Sequence, residues 1–212
     1  MFATEHPSLQ EWLITMLVLV ISITIHEFAH AITADRLGDP TPRSQGRISI
    51  NPVDHLDPVG TIMMALCTYF GYGIGWGRPV QYNPALLRRP RWDPLIIAAA
   101  GPISNVVQAL VFAGAFRLAM AHGWMELGSG AFEFVNAGIL VNVLLTLFNL
   151  IPIPPLDGSK VLSAILPIEL ATAYDRVMMR WSMLLFLVLI VSGVVGPLLA
   201  GPLDYFYRIL AG

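Results

Sequence analysis

His26-Glu27-Phe28-Ala29-His30 sits near the end of an apolar run that extends from Trp12 to Ala34. About 20 apolar residues cross the hydrocarbon core of a bilayer as a helix, so this run is long enough to span. Helical spacing places His26 and His30 on one face, four residues apart. An ionisable residue at membrane depth costs at least about 2.5 kcal/mol on insertion and marks function by default. The stretch therefore speaks for a membrane protein whose first span carries chemistry.

The composition agrees. The chain has 212 residues, 56% of them hydrophobic and 12% charged, with a mean hydropathy of +0.68. A soluble domain carries about 25% charged residues, so half that supply cannot cover a water-facing surface. Disorder is excluded by the same composition. A net charge of -2 gives no basic footprint for nucleic acid. The single cysteine, Cys67, excludes an intramolecular disulfide and a cysteine-based zinc site. The N-terminal tail has Glu5 and Glu11 but no Lys or Arg, and does not read as a signal peptide. The length fits one domain, residues 1–212.

Further apolar windows run from Pro94 to Phe116, from Phe134 to Ile153 and from Trp181 to Leu203. Each is expected to be a full span. Pro58 to Gly77 is also long enough, but Gly71, Gly73, Gly75 and Gly77 weaken it as a helix. It reads either as a fifth span or as a re-entrant segment. The expected fold is all-α and polytopic, with about four transmembrane helices. Short extended or β-strand stretches are expected at Arg47–Ile50 and Arg78–Tyr82, beside the active site.

Loop charges orient the spans, because Lys and Arg favour the cytoplasm. Arg36, Arg43 and Arg47 follow the first span, and Arg78, Arg88, Arg89 and Arg91 follow the Gly-rich segment. Lys160, Arg176 and Arg180 lie beyond Asp157. Loops on both sides of Pro58 to Gly77 thus favour one compartment, which supports re-entry. The histidines and Asp157 then reach the same cytoplasmic side. A full crossing would put them on opposite sides.

Two imidazoles one helical turn apart can share a Zn²⁺, while the Glu between them takes a proton from the attacking water. A catalytic zinc usually takes three protein ligands. His6 and His122 fall on the far side. His55 lies in a near-side loop and stays a candidate. Asp157 is the better one. Pro152, Pro154 and Pro155 break the helix just before it. Irregular backbone at this depth must be buried or line a wet cavity. Asn142, Thr146 and Asn149 share a helical face, and either bind an unwound peptide or bond to neighbouring helices.

These residues resemble the site-2 proteases, intramembrane zinc metalloproteases, and the small bacterial type in particular. His26 to His30 matches the family's first motif, and Asn149 through Gly158 its second. Ala100-Gly101-Pro102-Ile103-Ser104-Asn105 is similar to its Gly-Pro-x-x-Asn segment. Gly46–Pro52 and Trp76–Val80 are similar to family loops. The likeness covers about residues 12–165, a catalytic core, and leaves the 181–203 segment as an accessory span. No PDZ-like insertion is present. The resemblance implies one Zn²⁺ on His26, His30 and Asp157, with Glu27 as general base. It implies substrate binding by Asn149 and Asn105. The expected substrate is a transmembrane segment of another protein, cleaved in a multi-pass cell-membrane enzyme whose active site faces the cytoplasm. A membrane metal transporter and a non-catalytic membrane scaffold are the rival functions. The transporter should continue its polar ligands on a second helix or show repeat symmetry. The scaffold has no need for these four residues together.

Overall fold

The computed structural model describes residues 6–70 and 75–212. Gly71 and Gly73 of the Gly-rich stretch lie outside the described residues. Helix α1 runs Leu9–Arg36. It starts at Ser8, whose hydroxyl accepts from the Glu11 N–H while the Glu11 carboxylate accepts from the Ser8 N–H, a capping box. The short α2, Thr41–Ser44, follows. Next come α3, Pro58–Phe70, and the long α4, Asp93–Ala121. Helix α5 covers Gly130–Asn149, α6 Asp157–Ile165, α7 Ile168–Val191 and α8 Val195–Ala211.

Helices α1, α4 and α5 are each long and apolar enough to cross a membrane. They pack on one another, and this three-helix bundle holds the site. Small residues let the axes approach: a Cβ on Gly138 would collide with the Phe112 ring. Ala109, Ala113, Ile139 and Val143 form the buried seam of α4 and α5. Leu203, Tyr207 and Leu210 of α8 close over that seam.

The Trp181 to Leu203 window is not one straight span. Its helix breaks between Val191 and Val195, and α7 and α8 meet at 72°. Gly193 turns the chain there with φ +68°, a conformation other residues rarely adopt. Hydropathy averages over the break and does not register it.

Helix α3 has 13 residues, about 20 Å at 1.5 Å per residue. That is too short for the roughly 30 Å hydrocarbon core. The chain after it returns along its own path. A Cβ on Gly75 would collide with Met64, and one on Gly60 with Trp76. Leu56 then bridges Gly77 in antiparallel sense. The segment therefore begins and ends together, as re-entry requires. This isolated bridge is the sole β-pairing among the described residues. The expected strands at Arg47–Ile50 and Arg78–Tyr82 are irregular loops: isolated backbone bonds (Arg47 N–H to the Pro42 carbonyl, Arg78 N–H to the His55 carbonyl) and side chains, not a ladder, take up their polar groups.

The two ends of the bundle differ. Gln10 at the start of α1 donates to Glu133 at the start of α5, and Arg117 at the end of α4 donates to the carbonyls of Ile209 and Leu210. The start of α1, the 121–130 connection and the end of α8 thus share one end. The His26–His30 turn, the 37–57 and 75–92 loops and α6 lie towards the other.

Candidate active site

His26, His30 and Asp157 converge although 127 residues separate the last two. Asp157 Oδ2 lies 3.2 Å from His26 Nε2 and 3.1 Å from His30 Nε2. The two Nε2 atoms are 2.9 Å apart. All three residues are buried, at 6–7% exposure.

Each imidazole is held by its other nitrogen. His26 Nδ1 is 2.6 Å from Asn105 Oδ1, and His30 Nδ1 is 2.7 Å from the Ile97 carbonyl. Both partners are acceptors, so Nδ1 carries the proton and the Nε2 lone pair points into the cluster. This donor set of two neutral imidazoles and a carboxylate fits Zn²⁺. Gly101 of α4 is part of the fit: a Cβ there would collide with His30 Nε2 and the His26 ring.

Asp157 is the first residue of α6, where the helix dipole favours a negative charge. Gly158 lets the chain turn tightly, since its Cβ would strike the Leu150 and Ile151 carbonyls. The prolines before it end α5 at Asn149 and aim α6 back at the bundle.

Glu27 is half-buried on the loop-facing side of α1. Its Oε2 accepts from the Val80 N–H at 3.0 Å. Gly77 makes that approach possible, its Cβ position lying against Ile23 and near Glu27 Cγ. Tyr82 packs against the buried cluster of Ala34, Leu87 and Ile97, with Lys160 Nζ 5.3 Å from its ring centre. Burial, and then the Asp157 charge, pushes the Tyr82 phenol above its ordinary pKa.

The other candidate residues each have a definite place in the structure. His55 is fully buried, but its Nε2 bonds the Ser49 carbonyl at 2.6 Å and it stands outside the three-residue cluster. Asn105 is fully buried and faces His26; its Nδ2 donates to Asn142 Oδ1 at 2.9 Å. Asn142 Nδ2 then donates to the Gly138 carbonyl at 2.9 Å. Asn142 thus has the helix–helix role. Thr146 bonds the Asn142 carbonyl. Asn149 is half-buried at the end of α5, its Nδ2 on the Leu145 carbonyl at 2.9 Å. Gly101 as ring contact and the Val80 N–H as Glu27 partner escaped sequence reading. Both stretches stood out in the motifs, but nothing in a linear sequence pairs a loop amide with a helix carboxylate.

The chain matches Peptidase family M50 over residues 14–123 and 118–192. It is 39% identical over 157 residues to YwhC of Bacillus subtilis (72% of this chain, 68% of that one). It is 29% identical over 175 residues to Rip2 of Mycolicibacterium smegmatis (82% of this chain, 64% of that one). It is 23% identical over 155 residues to MJ0392 of Methanocaldococcus jannaschii (73% of this chain, 35% of that one). All three relatives carry "zinc metalloprotease" in their names. No solved structure matches. With apolar helices of membrane length and a donor set for zinc, the chain belongs to peptidase family M50 and is a zinc metalloendopeptidase of the site-2 type.

Proposed function

We propose that this protein hydrolyses peptide bonds within or next to the transmembrane segments of other membrane proteins. The observation that carries the reading is the convergence of His26, His30 and Asp157 inside a bundle of membrane-length helices, with Glu27 beside them. His26, His30 and Asp157 are the residues that would hold zinc. Bound there, zinc polarises the scissile carbonyl and offsets the negative charge that develops on its oxygen.

The chain's own groups do the rest. Val80 holds Glu27 Oε2, which leaves Oε1 to accept a proton from water. Glu27 then returns that proton to the leaving amine. Asn105 fixes the tautomer and tilt of His26 through Nδ1. Asn149, at the end of α5, offers its side-chain amide to the backbone of an unwound substrate. Unwinding is required because a helix hides its peptide groups in its own hydrogen bonds. The site faces the cytoplasm in this reading. Arg36, Arg43, Arg47, Arg78, Arg88, Arg89 and Arg91 lie at the end of α1, in α2 and in the loops beside it, while Lys160, Arg176 and Arg180 lie on α6 and α7.

Metal transport gains no support: among the described residues His26, His30 and Asp157 form the one group of three suited to a metal. Purified protein should cleave a generic single-span protein, and a chelator should abolish cleavage. Metal-independent cleavage, or none by the zinc-loaded protein, would overturn the reading.

A further inference from the structure

Arg47 is a cation in an unusual position. It is 3% exposed and, among the described residues, forms no ion pair. Its Nη1 donates to the Asp54 carbonyl and its Nη2 to the Arg78 carbonyl. Burial lowers its pKa, and the Glu27 carboxylate is the foremost influence opposing that. An arginine needed for topology alone would stay in water, where its charge is solvated without cost. Here the planar fork serves two carbonyls on separate loops.

Those loops bracket the re-entrant segment. Asp54 precedes α3 and Arg78 follows the return. Leu56 bridges Gly77, and the Arg78 N–H donates to the His55 carbonyl at 2.7 Å. Two residues beyond Arg78, the Val80 N–H meets Glu27. Pro79 lies between, and its ring fixes φ. The Arg78 carbonyl and the Val80 N–H belong to the two peptide units flanking Pro79. With φ fixed, Pro79 ψ is the one soft torsion between them, so holding the first restricts the second.

We infer that Arg47 is a positioning residue for Glu27: by clamping the Arg78 carbonyl it aims the Val80 N–H at Oε2 and fixes the carboxylate. The inference rests on Glu27 as the general base. Arg47 touches neither the zinc cluster nor the substrate in this role, so its loss should lower turnover and spare metal binding.

The test uses the full chain in lipid nanodiscs, as wild type, Arg47→Gln, Arg47→Lys and Pro79→Ala. Amide exchange is followed by mass spectrometry in peptides covering 77–82 and 23–34, alongside zinc content, kcat and KM. Arg47→Gln should keep one zinc per chain and an unchanged 23–34 segment. Exchange in 77–82 should rise about tenfold, as loss of one anchoring hydrogen bond implies. kcat should fall about tenfold or more, with KM within about threefold. Arg47→Lys should restore part of both, since an ammonium still donates to one carbonyl. Pro79→Ala should move exchange and kcat the same way, by less. It also carries the test if Arg47→Gln does not fold. Unchanged exchange in 77–82, unchanged kcat, or zinc lost together with activity would each overturn the inference. A wild type that cleaves nothing, with the exchange changes present, would overturn the proposed function and leave the anchoring intact.

Discussion

Glu27 and the two histidines share one turn of α1 but have different surroundings. The histidines are buried against α4, and Glu27 faces a loop amide. A Glu27→Gln substitution retains an oxygen for the Val80 N–H and loses only the proton acceptor. It should keep one zinc per chain by elemental analysis and lower kcat by about 100-fold or more, the usual scale of general-base catalysis. Gly101 makes the complementary case. Gly101→Ala adds one methyl where both imidazoles lie, and neither ring can retreat because Asn105 and Ile97 hold their Nδ1 atoms. Zinc content should fall well below one per chain, while helix content by circular dichroism stays unchanged. Full zinc occupancy in that variant would contradict the close contact.

At the scale of elements, a line of hydrogen-bonded side chains joins three helices: the imidazole of His26 on α1 and the amides of Asn105 on α4 and Asn142 on α5. Interhelical hydrogen bonds in membranes average about 0.6 kcal/mol, because alternative partners are available in lipid. Removing this one leaves the Asn105 Nδ2 unpaired inside the bundle, which raises the penalty. Asn142→Leu should therefore destabilise the protein by about 1–2 kcal/mol in a detergent unfolding titration. Its activity should also fall, since Asn105 loses its anchor. The sequence shows Asn142 and Asn149 on one face but not which of them meets a neighbouring helix. That depends on how α5 is rotated, which packing against Phe112 and α8 decides. Helix breaks were legible where proline clusters mark them, before Asp157, and not at Gly193, where one residue turns the chain inside an apolar run.

Across the whole molecule, α3 bears on how the spans count, being too short for a full crossing and flanked by the paired Leu56 and Gly77. The His26–His30 turn of α1 and Asp157 beyond α5 lie at the same end of the bundle. Cysteines at Ala85 and Met125, placed singly in a Cys67→Ser background, should label from opposite sides of sealed vesicles with an impermeant maleimide. Labelling of both from one side would refute this arrangement. The large number of exposed apolar residues on α7 and on the outer faces of α4 and α8 suits a surface in lipid.

The sequence by itself determined the membrane class, three apolar helices of spanning length and the spacing of His26 and His30 about Glu27, with Asp157 as a candidate beside them. Apolar length and helical period are local properties, and a chain with 12% charge has few places to put a functional carboxylate. Only the tertiary structure decided which groups serve those four. It turned Asn105 towards His26, set Gly101 beneath both rings and brought the Val80 N–H from a distant loop to Glu27. Those contacts depend on the rotation of packed helices and on how a loop is tied down, and neither leaves a periodic signal in the chain.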